Sequence, residues 1–191
     1  MGSNGLRPVV FVDRDGVLIE NREHYVRTWE EVEIFPGSIE AGRMLTAAGL
    51  ALVVVTNQAL VGRGYLPFEV VSSLNNRILD CFKDAGVEII GRYMCPHHPD
   101  DNCGCRKPKP GMLLQAAKEH GIDLSNSYLV GDATSDLLAA EAAGVTGILV
   151  RTGRGVSEEP KVAQDYNARW VVQNDFLAAA TYILASKGAQ G

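Results

Sequence analysis

The stretch Val9-Val10-Phe11-Val12-Asp13-Arg14-Asp15-Gly16 decides the fold, because a short apolar run ends abruptly in two carboxylates and a glycine. Apolar side chains on consecutive positions are typical of a strand that is buried on both faces of a parallel sheet. The glycine allows a tight turn just beyond the strand. Residues 9–13 are therefore predicted to form an inner strand with Asp13 at its carboxyl end.

Five further apolar runs of this kind follow and alternate with helix-like stretches. The predicted strands cover residues 51–56, 89–94, 127–131, 147–151 and 169–172, and the predicted helices cover 38–48, 68–85, 111–120, 135–143 and 175–186. Glycines just past several helix ends support these bounds. The segment from Gly153 to Pro160 is predicted to be a loop. The alternation predicts an α/β fold with a doubly wound, mainly parallel, Rossmann-like sheet.

The length and the charge of the chain limit its organisation and its partners. A chain of 191 residues fits one domain, residues 1–191, with its core in 6–188. The formal net charge of -5 argues against nucleic acid or an anionic membrane as the main partner. No apolar run approaches the roughly twenty residues of a membrane span, and no signal-peptide pattern is seen. The cytoplasm is therefore the expected location. A monomer is expected, since no exposed heptad pattern or strongly apolar surface helix stands out.

Polar side chains stand where three of the predicted strands end. Asp13, Thr56 and Asp132 each follow or close an apolar strand. In an open parallel sheet, ligands bind beyond the carboxyl ends of the strands. The sequence therefore predicts a functional site at this edge of the sheet.

The pair Asp13 and Asp15 suggests phosphoryl chemistry. One carboxylate can attack phosphorus in line, while the other protonates the leaving oxygen and later activates water. A divalent cation must then bridge these anions and a phosphate, and magnesium prefers such oxygen ligands. The alternative is a pair of solvated turn aspartates.

Three other short motifs supply groups of the kind that such a site needs. Thr56, Asn57 and Gln58 offer neutral donors for phosphate oxygens, although such residues also cap and turn chains. A basic loop with Lys107 and Lys109 could neutralise a transferring phosphoryl group or could simply face solvent. Asp132 could complete a magnesium shell, and the nearby Asp136 could cap the next helix or orient the site.

The loop 95–105 contains a set of metal ligands. Cys95, Cys103 and Cys105 crowd into it together with the adjacent His97 and His98. Three thiolates and one imidazole suit a closed, tetrahedral, structural zinc site, and metal binding can order a loop without a core of its own. Spacing alone does not separate the two histidines. The alternative is a loop of free or oxidised cysteines.

With four motifs in this order, Asp13-x-Asp15, Thr56, Lys107 and Asp132, the chain resembles the haloacid dehalogenase superfamily of phosphatases. The resemblance implies an aspartyl-phosphate intermediate at Asp13 and general acid/base work by Asp15. It also implies phosphate binding by Thr56 and Lys107, the latter preferred over the neighbouring second lysine. Magnesium would be held by Asp13, Asp132 and the backbone carbonyl of Asp15. No large cap domain is expected.

The runs Cys-Pro-His-His-Pro at 95–99 and Cys-Arg-Lys-Pro at 105–108 narrow the resemblance to members of this superfamily with a zinc loop. By this resemblance His97 is the fourth zinc ligand, and the sugar or distal phosphate contacts are Asn57, Gln58, Arg63 and Arg106. The implied substrate is the 7-phosphate of D-glycero-D-manno-heptose 1,7-bisphosphate. The alternatives are histidinol phosphate as substrate, or a non-catalytic, zinc-stabilised binding domain.

Three departures from that pattern bear on substrate and anomer preference. The zinc loop is short between His97 and Cys103, Ala133 stands where a lysine is typical, and Ala59 replaces a serine. The segment from Ile19 to Phe35 is expected either to lie over the entrance of the site or to be a surface connection.

Overall fold

One parallel sheet forms the centre of the protein in the computed structural model, which describes residues 5–164 and 170–188. Its strands are β1 (Val10–Val12), β2 (Leu52–Asn57), β3 (Ile89–Cys95), β4 (Tyr128–Gly131), β5 (Thr146–Val150) and β6 (Trp170–Gln173). They pair in parallel in the order β3-β2-β1-β4-β5-β6. The predicted doubly wound α/β sheet is confirmed. Arg169, where the last predicted strand began, lies outside the described residues.

Seven helices connect or follow these strands in the described ranges. They are α1 (Ser38–Ala47), α2 (Ala59–Gly62), α3 (Phe68–Asp84), α4 (Gly111–His120), α5 (Thr134–Ala143), α6 (Gly155–Gln164) and α7 (Phe176–Gly188). Short 3-10 turns lie at Trp29–Glu31, Pro99–Asp101 and Leu124–Asn126. The five predicted helices are present within two residues of their expected bounds. Through residues 5–164 and 170–188, no helix has the length and apolar character that crossing a membrane requires.

The loop predicted from Gly153 to Pro160 is wrong from Gly155 onward, where α6 begins. Pro160 cannot donate a backbone hydrogen bond, and this indicated a loop. Contacts with α5 outweigh that cost. The Glu158 carboxylate accepts hydrogen bonds from the backbone N–H and the hydroxyl of Thr134 at 3.1 and 2.6 Å, and Val162 is buried in an apolar cluster with Leu137.

The helices cover both faces of the sheet, which explains why its strands are apolar throughout. Val10 and Val12 point to one face, where the buried side chains of α1, α3 and α7 pack against them. Phe11 points to the other face, toward α4 and α5. Because both faces are buried, polar groups on the inner strands can reach a ligand only at the strand ends.

Candidate active site

The strand-end residues meet at the carboxyl edge of the sheet, as their positions predicted. β1 lies between β2 and β4, so Asp13, Thr56 and Asp132 are carried by three adjacent strands. All three are buried. The backbone N–H of Asp13 donates to the carbonyl of Val130 at 2.9 Å, which extends the pairing of β1 with β4 up to the first aspartate.

A cavity of about 470 Å³ opens at this edge. Among the candidate residues, it is lined by Asp13, Asp15, Asn57, Arg106 and Lys107. Sequence reasoning did not assign a site role to four further lining residues, which are Asn21, Arg22, Ser135 and Arg154. Glu23 and Tyr25 also line the cavity, so the segment after β1 does border the entrance.

Lys107 is the cation that faces Asp13. Its buried ammonium lies 3.1 Å from Asp13 Oδ1 and 2.6 Å from Asp136 Oδ1, and it donates to the carbonyl of Val55 at 2.8 Å. Burial alone would lower the pKa of this lysine, but the two carboxylates raise it, so the ammonium stays charged. Lys109, by contrast, is exposed and binds the backbone carbonyl and side chain of Asn102.

The carboxylates at this edge outnumber the cations that face them. Ligand atoms of Asp13, Asp132 and Asp136 all lie within 4.8 Å of one another. Burial raises the pKa of Asp13 to about 6, and Lys107 only partly opposes this; burial also raises the pKa of Asp132 and of Asp136. Clustered, poorly solvated carboxylate oxygens are ligands that a hard divalent cation prefers, so this donor set fits magnesium.

Asp15 belongs to a different network, which sequence reasoning missed. The fully buried guanidinium of Arg14 donates to both oxygens of Asp15 at 2.7 and 2.8 Å, and also to the Asn75 side chain. The Gln58 amide donates to Asp15 Oδ2 at 2.7 Å and to the Thr56 hydroxyl at 2.8 Å. Gln58 is therefore a buried bridge between Asp15 and Thr56, although the sequence suggested a sugar contact.

The other proposed substrate-binding residues differ in position. The side chain of Asn57 binds the backbone of Lys107. It donates to the Lys107 carbonyl at 3.0 Å and accepts from the Lys107 N–H at 3.1 Å. Arg106 lines the cavity, and its buried Nη1 finds no hydrogen-bond partner among the described residues. Arg63 is exposed at the end of α2 and is not among the residues that line the cavity.

Backbone atoms of Gly16, Gly153 and Arg154 form a cradle around the carboxylate of Asp132 by packing closely against it. A Cβ placed on Gly16 would lie 2.1 Å from Asp132 Oδ2, and one placed on Gly153 would lie 2.4 Å from it. Both glycines have positive φ, +83° and +59°. The backbone N–H of Arg154 donates to the same oxygen at 2.9 Å. The two glycines thus let the chain approach Asp132 closely and fix its orientation.

A second group of side chains that could hold a metal ion lies in the loop directly before Arg106 and Lys107. The thiols of Cys95, Cys103 and Cys105 and Nδ1 of His97 approach one another, with recorded separations of 3.2 to 3.6 Å. A tetrahedral zinc site with Zn–S of about 2.3 Å and Zn–N of about 2.0 Å has edges of roughly 3.5 to 3.8 Å. The cluster therefore fits a closed metal site. His98 is not part of it and caps the Pro99–Asp101 turn.

This cluster fixes the loop that carries the site's cations. Cys105 is followed directly by Arg106 and Lys107. The loop is pressed against α2, since a Cβ on Gly62 would lie 2.2 Å from the backbone nitrogen of His98. The N–H of Gly62 donates to the carbonyl of Pro96 at 2.8 Å. Metal binding here would thus bear on the placement of the lysine opposite Asp13.

Comparison with known proteins agrees with this geometry. Residues 104–179 match the HAD-hydrolase-like family. The chain is 42% identical over 150 residues to a D-glycero-beta-D-manno-heptose-1,7-bisphosphate 7-phosphatase of Pseudomonas aeruginosa, covering 78% of this chain and 84% of that protein. It is also 42% identical over 168 residues to the enzyme of that name from Escherichia coli K12, covering 83% and 87%. A crystal structure of D,D-heptose 1.7-bisphosphate phosphatase from B. bronchiseptica, complexed with magnesium and phosphate, aligns with a TM-score of 0.85 at 33% identity, covering 94% of this chain and 99% of that chain.

The cradle around Asp132 leads to a first prediction. Gly153→Ala should lower the free energy of unfolding by about 2 kcal/mol or more. The new Cβ would collide with the Asp132 carboxylate, and alanine is strained at the positive φ of this position. Gly49→Ala is the matched control, since its φ is +75° but a Cβ there meets nothing within 4 Å. Urea unfolding measures both. Equal losses in the two variants would show that the contact with Asp132 contributes nothing.

Proposed function

Since this chain belongs to the D-glycero-beta-D-manno-heptose-1,7-bisphosphate 7-phosphatase family of HAD-like phosphoric monoester hydrolases, we propose that it removes the 7-phosphate of D-glycero-D-manno-heptose 1,7-bisphosphate. One observation carries the proposal. Asp13, at the end of the central strand, faces the buried ammonium of Lys107 in a cavity with room for a small metabolite. A carboxylate nucleophile and a fixed cation are the two groups that phosphoryl transfer to an aspartate needs.

Asp13 is the proposed nucleophile. Its Oδ1 accepts from the Arg14 backbone N–H at 2.8 Å and pairs with Lys107, so the other oxygen, Oδ2, is assigned the attack on phosphorus. As that P–O bond forms, the bond from phosphorus to the sugar oxygen breaks, and Asp15 gives a proton to the departing oxygen. Water then attacks the phosphorus of the aspartyl phosphate while Asp15 takes its proton. The bond from phosphorus to Asp13 Oδ2 breaks, which releases inorganic phosphate and restores the Asp13 carboxylate.

In this proposal, Lys107, Thr56 and magnesium stabilise the transferring phosphoryl group. Lys107 supplies a fixed ammonium, held in place by Asp136, and the Thr56 hydroxyl supplies a hydrogen bond to a phosphate oxygen. Magnesium, held by Asp13, Asp132 and the backbone carbonyl of Asp15, would neutralise phosphate oxygens when bound. Arg14 and Gln58 anchor Asp15 from behind, at the wall of the cavity.

The charge of the cavity favours a bisphosphate over histidinol phosphate. Arg22, Arg106 and Arg154 line it in addition to the buried lysine, against the carboxylates of Asp13, Asp15 and Glu23. A second phosphate can pair with guanidinium groups that the first leaves unused, and the buried Nη1 of Arg106 needs such a partner. Among the described residues that line the cavity, Glu23 is the one carboxylate outside the catalytic pair that could bind the ammonium of histidinol phosphate, against three arginines that could bind a second phosphate.

This preference can be measured directly. The catalytic efficiency, kcat/KM, should be at least about tenfold higher for D-glycero-D-manno-heptose 1,7-bisphosphate than for histidinol phosphate, because one charged contact contributes roughly 1.5 to 3 kcal/mol. The matched control substrate is the heptose 7-phosphate without the 1-phosphate, which should fall between the two. An equal or higher efficiency with histidinol phosphate would overturn the substrate assignment and leave the phosphatase assignment intact.

The nucleophile assignment gives a third prediction. Asp13→Asn should reduce phosphate release at least about a thousandfold, since the amide cannot form the aspartyl phosphate. The fold should survive. The pKa of Asp13 is raised from 3.8 to about 6, so protonation of this group favours the folded state at low pH, and that contribution is lost as the pH rises through about 6.

At pH 7.5 the ionised Asp13 therefore costs stability in protein without magnesium, and a neutral amide removes this cost. The thermal midpoint of Asp13→Asn in magnesium-free buffer should equal or exceed that of the wild type. Loss of activity together with a lower midpoint would indicate a structural role for Asp13, and retained activity would exclude it as the nucleophile.

We further propose that the Cys/His cluster binds a structural zinc ion. Metal analysis of the reduced protein should find about one zinc per chain, because four protein ligands close the site. Cys103→Ser should lose the zinc and reduce kcat, since the loop that carries Arg106 and Lys107 is then unanchored. Cys81→Ser, on α3 outside the cluster, is the matched control and should keep both. Full activity in zinc-free protein would refute the link between the cluster and the cations.

A further inference from the structure

Arg154 forms the most extensive contact with Asp132. Its Nη2 lies 2.9 Å from Asp132 Oδ1, its Nε lies 3.3 Å from Oδ2, and its backbone N–H donates to Oδ2 at 2.9 Å. The two partners differ in exposure: the Asp132 side chain is fully buried, whereas that of Arg154 is 53% exposed. The guanidinium therefore reaches a buried carboxylate from the solvent side.

Asp132 has little freedom to turn away from this arginine. Gly16 and Gly153 press against its Oδ2, as described above, and the carboxylate is one of three that cluster at the strand ends. Both of its oxygens are already engaged by Arg154. A divalent cation that binds Asp132 must share this carboxylate with a guanidinium at hydrogen-bond distance, and the two positive charges repel.

Arg154 is the cation that contacts Asp132, whereas Lys107 pairs with Asp13 and Asp136. Ala133, directly after Asp132, is a buried methyl group, so the residue that joins the aspartate to α5 carries no charge. Arg154 lines the same cavity as Asp13 and Lys107. If the guanidinium leaves Asp132, the backbone N–H of Arg154 can still donate to Asp132 Oδ2. The guanidinium then stays at the edge of the cavity in which a phosphate would bind.

We propose that Arg154 is an exchangeable counterion: it neutralises Asp132 in the metal-free site, yields that carboxylate to magnesium, and then pairs with the phosphate group of the substrate. This inference rests on the proposed function. In the metal-free state, the three clustered carboxylates face two cations, Lys107 and Arg154. Entry of a divalent ion makes the local formal charge positive, and a phosphate dianion then favours the freed guanidinium. Magnesium therefore binds first, and phosphate then binds to the Arg154 guanidinium that magnesium has displaced from Asp132.

The test measures two affinities, independently of turnover. Calorimetric titration of magnesium into phosphate-free protein should give roughly three- to tenfold tighter binding for Arg154→Gln than for the wild type, because a competing cation is gone. Titration of inorganic phosphate into the magnesium-saturated protein should give about tenfold weaker binding for the same variant, because a charged partner is lost. Arg154→Lys, which keeps the charge but not the two-point contact, should lie between.

Arg151→Gln is the matched control. It removes the same charge from the same region of the chain, but Arg151 pairs with Glu159 and Asn174, away from Asp132. Both of its affinities should equal those of the wild type. Magnesium binding that is unchanged or weaker in Arg154→Gln would overturn the competition, and unchanged phosphate binding would overturn the transfer. A wild type that binds no magnesium would instead refute the proposed metal site itself.

Discussion

The ion pairs of the buried Lys107 ammonium are the interaction on which the rest of the site depends. A charged amine without solvent costs several kcal/mol unless carboxylates surround it, and here Asp13 and Asp136 do so from β1 and α5. Asn57 holds the same lysine by its backbone, and the Cys/His cluster ends two residues before it. Four separate parts of the chain therefore converge on this one residue, and the proposed nucleophile is positioned by that convergence.

The same arrangement leaves more buried carboxylates at the site than there are cations to neutralise them. Asp13, Asp132 and Asp136 are buried within reach of one another, and burial raises the pKa of each. A protein that needed only stability would place apolar groups here, because a buried carboxylate cluster is costly. The proposed function accounts for this cost, because Lys107 and Arg154 only partly offset the three carboxylates and a divalent ion bound among them would relieve the remaining repulsion. Under that proposal, metal binding and stability would be coupled through the residues that carry out the chemistry.

Much of this site could be predicted from the sequence because it depends on strand ends. The positions of Asp13, Thr56 and Asp132 follow from apolar runs and from the rule that parallel strands share one edge. Side-chain direction could not be predicted in the same way. Gln58 lies next to Asn57 in sequence, yet it points inward to Asp15, and Arg14 turns into the core between two aspartates that face the cavity. Adjacent residues at a strand exit diverge, and only the packing around them determines which one faces a ligand.

The failure to predict α6 and the failure to predict Arg154 as a site residue have one physical cause. Local preference around Pro160 favours a loop, and a free loop from Gly153 onward would give Arg154 no defined position. The helix forms because Glu158 accepts two hydrogen bonds from Thr134 at the start of α5, which begins two residues after Asp132. Contacts across more than twenty residues therefore set both the helix and the arginine at its beginning. Helix α6, which begins next to Arg154, is held in place by α5, which follows Asp132. The proposed metal ligand and its proposed counterion are therefore positioned together.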